Sequence, residues 1–111
     1  NEVITLLRDM SYKDVFDALQ GRWLLLKTYY ELDEYDALDA LIDSFRIFLR
    51  RHKSISKSYQ KMYMNAIKFL QKIMKIPYES KSSAEKLHLQ IKECTPIAER
   101  RWLLQKLEEV R

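Results

Sequence analysis

Apolar residues recur at helical spacing along almost the whole chain. Val3, Leu6, Leu7 and Met10 stand at i, i+3, i+4 and i+7, which predicts a helix over residues 2–10. Ser11 then precedes Asp14 by three positions, a capping-box-like start for a short second helix over 12–20, with Val15, Phe16 and Leu19 as its apolar edge. Gly21, the one glycine, is placed to stop it in the left-handed conformation. A third helix, 22–32, is apolar around most of its circumference, with Lys27, Thr28 and Glu31 as its polar strip, so packing on at least two sides is expected. After a turn at Leu32-Asp33-Glu34, the helix 34–51 places Tyr35, Leu38, Leu41, Ile42, Phe45, Phe48 and Leu49 along one stripe.

The second half continues the pattern. Ser54 and Ser56 offer hydroxyl caps for a long helix over about 57–76, whose buried side is Tyr59, Met62, Tyr63, Ala66, Ile67, Phe69, Leu70, Ile73 and Met74. Pro77 lacks the backbone N–H that would continue the ladder, and it disfavours helical geometry at Ile76. Residues 78–83 read as the one loop of any length. Ser82 and Glu85 have capping-box spacing for a helix ending near Glu93, with Ala84, Leu87, His88 and Ile91 inward. Thr95 as cap and Pro96 at the first helical position then open a last helix whose core side is Ile97, Leu103, Leu104, Leu107 and Val110. Trp102 falls off that side, either closing a gap against the long helix or joining an exposed patch. The expectation is an all-α fold of antiparallel hairpins, a short α-solenoid or compact bundle, forming one domain over residues 1–111.

Composition supports helices throughout. One Gly and two Pro are too few for the turns a sandwich or barrel needs. The lone Cys94 cannot form an internal disulfide, and no apolar run approaches the roughly 18 residues of a membrane span, so a cytoplasmic setting is expected. The chain starts at Asn1 directly on a helical pattern, which reads as the carboxy-terminal fragment of a longer protein.

Within Arg22–Phe45, Tyr29 late in one helix, Asp33 at the turn where glycine is usual, and Tyr35 opening the next helix resemble the core of one tetratricopeptide unit. The small residues of that family are replaced by Leu26, Leu38 and Phe45, which implies wider or differently angled helices, and no second copy recurs at a period of about 34. The run LLLKTYYELDEYDALDALIDSFRIFLRR is also similar to carboxy-terminal helical segments of uncharacterised bacterial repeat proteins. The tetratricopeptide resemblance implies that Trp23, Lys27 and Tyr30, at i, i+4 and i+7, line a concave surface that holds a peptide by stacking, apolar contact and a charge-assisted bond. Aromatic residues at helical spacing are most often core, and packing of Trp23 and Tyr30 against the region of Phe16 is the more ordinary explanation.

Charge is segregated. Residues 1–43 carry ten acids and four bases, residues 44–78 nine bases and no acid, and residues 79–111 six acids and seven bases. On the long helix Lys57, Lys61, Lys68, Lys72 and Lys75 share one side at spacings of 4, 7, 4 and 3, and Arg50, Arg51 and Lys53 extend this basic ridge. Such a ridge suits phosphate backbone, an anionic membrane surface or an acidic protein, or it is an ordinary solvated face. His52, His88 and Cys94 match no zinc spacing, and the acids from Asp33 to Asp43 lack a calcium-loop glycine. No nucleophile arrangement or glycine-rich phosphate loop is present. No metal or cofactor is expected, and no enzyme. The reading is a non-catalytic interaction or scaffold domain contacting another protein or the rest of its own chain. The alternative is a nucleic-acid-binding module using the ridge, and a third reading is a purely structural end-cap of a solenoid.

Overall fold

The computed structural model describes residues 12–111, and among these all regular structure is helical. The helix expected over 2–10 lies outside the described residues. The chain divides into two compact units, residues 1–56 and 57–111.

In the first unit, α1 (Tyr12–Glu31) and α2 (Tyr35–Arg51) pack as a hairpin. The break expected at Gly21 does not occur: α1 runs through it, and Gly21 has no positive φ. The reason is packing. Val15, Leu19, Trp23 and Leu26 are all buried at i, i+4, i+8 and i+11, one continuous stripe across the glycine. A mid-helix glycine costs about 1 kcal/mol relative to alanine, whereas each fully buried side chain of that size contributes about 1.5–3 kcal/mol. The stripe wins. Opposite it, α2 buries Leu38, Ile42, Phe45, Phe48 and Leu49, and the Trp23 ring meets Phe45 edge-on with centroids 6.4 Å apart. Tyr35 and Leu41, expected on the same stripe, are exposed and half-buried.

The turn between α1 and α2 accounts for its own backbone. The Glu34 N–H donates to the Tyr29 carbonyl at 2.9 Å and the Asp33 N–H to the Tyr30 carbonyl at 3.2 Å, the paired bonds of a Schellman motif. Asp33 takes the left-handed position, φ 56°, where glycine is the commonest choice. The Tyr35 hydroxyl donates to Asp33 Oδ1 at 2.9 Å across this turn. Aspartate is among the few residues that tolerate this conformation, because its short polar side chain can bond locally.

The second unit holds α3 (Lys57–Lys75), a 3₁₀ turn at Ile76–Tyr78, α4 (Lys81–Glu93) and α5 (Arg100–Val110), with the three α-helices in mutual contact. Tyr63, Ala66, Ile67, Phe69, Leu70 and Ile73 form the buried side of α3, facing a core completed by Ala84, Leu87, Ile91, Leu103 and Leu107. Pro77 ends α3 as its chemistry requires, and the chain tightens into the 3₁₀ turn before stopping.

Two expected starts are displaced. The cap of α4 is Ser80 rather than Ser82. Ser82 lies inside the first turn, and the Ser80 hydroxyl meets those of Ser82 and Ser83 at 3.0 and 3.3 Å. The last helix begins at Arg100, with Glu99 as its cap, so the longest connection of this unit is 94–99 and not 78–83. Thr95-Pro96 is a cis peptide in that connection. Non-local bonds hold it there: Asn65 Nδ2 donates to the Pro96 carbonyl at 2.8 Å and the Ala98 N–H to the Met62 carbonyl at 3.1 Å. The Arg100 guanidinium donates back to the carbonyls of Ile91 and Cys94 and to the Thr95 hydroxyl. These bonds satisfy the Pro96 carbonyl and the Ala98 N–H of the connection, and the carbonyls of Ile91 and Cys94 at the end of α4, which would otherwise lack protein partners.

Candidate functional site

The residues singled out from the sequence fall into distinct environments. Trp23 is 2% exposed and belongs to the core of the hairpin, where it meets Phe45. Lys27 and Tyr30 are half-buried along the flank of α1. Of the three, only these two have surface to offer a partner.

The opposite face of α1 is the unexpected one. Leu24 is 66% exposed, Leu32 65% and Leu25 40%. By helical spacing Leu25 and Leu32, seven apart, share a side with Leu24 next to them, and Thr28 between them donates its hydroxyl back to the Leu24 carbonyl at 2.9 Å. The exposed carboxylates of Asp17 and Glu31 border this apolar strip. The nearly all-round apolar character of 22–32 was legible, but a second buried side and an exposed apolar side have the same sequence pattern.

At the far end of the hairpin three side chains stack. The Arg22 guanidinium carbon lies 3.9 Å from the centroid of Phe48, and the His52 ring lies 4.2 Å from the same ring. Burial lowers the pKa of Arg22 from its ordinary value. His52 is lowered as well, first by desolvation and then by the Arg22 charge. The trio reads as a packed cation–aromatic contact.

The eight basic-ridge residues are all exposed. Arg50, Arg51 and Lys53 belong to the first unit, and Lys57, Lys61, Lys68, Lys72 and Lys75 line α3 in the second. The ammonium nitrogens of Lys68 and Lys72 lie over the Phe69 ring, 5.0 and 5.7 Å from its centroid. In α5 the Lys106 stem is buried at 6% exposure, its ammonium 3.1 Å from Glu109 Oε2 and 5.8 Å from the ring of the half-buried Trp102. The Tyr63 phenol is pushed above its ordinary pKa by burial, then by Glu99 and Tyr59.

Among the described residues no three His, Cys, Asp or Glu side chains gather as a metal shell, and Cys94 is a half-exposed free thiol. No described helix is long and apolar enough to cross a membrane. No protein-family model matches the chain, and comparison with curated proteins and with solved structures finds no match.

Proposed function

We propose that this chain is a non-catalytic protein-interaction module, tetratricopeptide-like in its α1–α2 hairpin, which binds an amphipathic helix of another protein. The exposed strip of Leu24 and Leu25 on α1 and Leu32 in the turn that follows carries this reading. Large apolar side chains that adjoin one another on a surface, bordered by polar residues, are the usual mark of a contact site. The carboxylates of Asp17 and Glu31 on its margins set the partner's chemistry: an apolar ridge flanked by lysine or arginine.

The test is a fluorescence-anisotropy titration of the full chain against a labelled amphipathic helix of leucine and lysine, with a scrambled peptide of equal composition as control. Saturable binding of the ordered peptide is expected. Leu24→Asp combined with Leu32→Asp should weaken it by at least about tenfold, since each leucine removed from water contributes about 1.5–3 kcal/mol. Equal binding by that variant overturns the assignment, and loss on Lys27→Glu instead moves the contact to the Lys27 and Tyr30 flank.

A second reading is favoured by the five exposed lysines of an α3 that contains no acid. It makes the second unit a nucleic-acid contact. Binding of a labelled oligonucleotide should then fall steeply with salt and weaken with both Lys61→Gln and Lys68→Gln. Absence of any binding at low salt eliminates it.

A further inference from the structure

Between α3 and α4 the second unit contains a groove of about 370 Å³. From α3 and the 3₁₀ turn it takes Lys72, Lys75 and Ile76, at i, i+3 and i+4, and from α4 it takes Ser83, Lys86, Leu87 and Gln90, at i, i+3, i+4 and i+7. Ile76 and Leu87 are buried and make an apolar floor, while the three lysines are exposed and form the rim. Ser83 adds a hydroxyl and Glu79 a single carboxylate to the lining. None of Lys72, Lys75 and Lys86 has an ion-pair partner among the described residues, and the groove lining carries three lysines against one carboxylate.

Lys72 and Lys75 also complement the carbonyl end of α3. Lys86 sits in the middle of α4, where no helix terminus accounts for it. Its place on the α4 wall of a groove that Lys72 and Lys75 line from α3 sets it apart from Lys57 and Lys61, which do not line that groove.

We infer that this groove is a binding site for a small phosphate monoester, the phosphate held by Lys72, Lys75 and Lys86 and its organic substituent resting on Ile76 and Leu87. The lining favours phosphate over carboxylate. Three separate ammonium groups and no guanidinium suit a tetrahedral dianion whose oxygens accept from several directions, whereas a planar carboxylate is best matched by the arginine fork. Gln90 can donate to a further oxygen, and Glu79 accepts from a hydroxyl on the substituent. The volume is within the range of about 300–1,000 Å³ typical of small-molecule pockets. The site lies wholly in the second unit and does not rest on the peptide contact proposed for the first.

The experiment is an amide NMR titration of the full chain with inorganic phosphate and with hexyl phosphate, using hexanol as a charge-free control. Shifts concentrated in residues 72–90 are expected for both anions, with hexyl phosphate about tenfold tighter because its first methylenes leave water. Lys75→Gln and Lys86→Gln should each weaken hexyl phosphate about fivefold, the effect of one partly solvated charge pair, and added salt should weaken it further. Lys61→Gln, on the same helix outside the groove, should change nothing. Since all three substitutions are at exposed positions, unchanged circular dichroism checks the fold. Shifts absent from residues 72–90, or equal weakening by Lys61→Gln, overturn the site. Displacement of hexyl phosphate by an oligonucleotide whose affinity grows with length and depends on Lys57 and Lys61 replaces it with the nucleic-acid reading.

Discussion

Replacing Gly21 by alanine discriminates directly between a helix that ends at residue 20 and one that continues to residue 31. Gly21 lies ten residues inside α1, is exposed, and has no positive φ. A Cβ built on it meets nothing within 4 Å. The substitution therefore adds no clash and removes no contact. What remains is the helix propensity difference, about 0.8–1.0 kcal/mol in favour of alanine, which arises largely from the freedom glycine has in the unfolded chain. For a unit of this size that corresponds to an increase in Tm of about 4–8 °C per kcal/mol. Urea and thermal unfolding should be followed by ellipticity at 222 nm and by Trp23 fluorescence, in a Trp102→Phe background so that the signal comes from the first unit alone. Gly21→Pro, which removes an N–H and clashes with the preceding turn, should cost about 3 kcal/mol or more. A lower Tm and reduced helicity for Gly21→Ala would show that the chain turns at this position and that the continuous stripe from Val15 to Leu26 is wrong.

Other perturbations test other parts. Phe45→Ala empties a fully buried site against Trp23 and should cost about 3–5 kcal/mol in urea unfolding of the first unit, with a red shift of Trp23 emission. Arg100→Ala strips the 94–99 connection of its guanidinium bonds and should destabilise it by about 1.5–3 kcal/mol, seen as faster hydrogen exchange at the Ala98 N–H; Arg100→Lys, which cannot reach several acceptors at once, should restore little. His52 has a lowered pKa in the folded state, so the unfolded chain binds the extra proton first as pH falls below 6.5. The contribution of His52 is therefore complete above that pH and is lost on acidification through the lowered folded pKa. His52→Gln should flatten this part of the stability profile, and an NMR titration of the His52 ring that gives a value at or above 6.5 would contradict its burial beside Arg22.

How far the sequence reaches is clearest in α2 and α3. Their stripes were readable because Leu38, Ile42, Phe45 and Leu49, and likewise Tyr63, Ile67, Leu70 and Ile73, obey a helical period that does not depend on the rest of the fold. Pro77 was readable because its effect is covalent. Gly21 and Thr95-Pro96 were not, and for one reason: each is a local signal outweighed by distant partners. The first is overridden by side chains buried against α2, the second by Asn65, Met62 and Arg100, which lie far away in sequence or beyond the connection itself. The lysines of α3 were legible as a stripe, whereas the place of Lys86 on the same groove as Lys72 and Lys75 required knowing how α4 packs on α3. The outer leucines of α1 carried no sequence signal that separates a second packed side from a bare one.

The absence of any acid from α3 has an energetic consequence. Lys57 and Lys61, and Lys68 and Lys72, are like charges at i and i+4, with Lys72 and Lys75 at i and i+3. Each such pair opposes the helix by about 0.2–0.5 kcal/mol at low ionic strength. The helix is thus a loaded spring, held shut by its apolar side and eased by any counter-ion that settles along it. The second unit should tighten rather than loosen as salt is added, the reverse of a protein held by surface ion pairs, and a multivalent anion should do the same at far lower concentration.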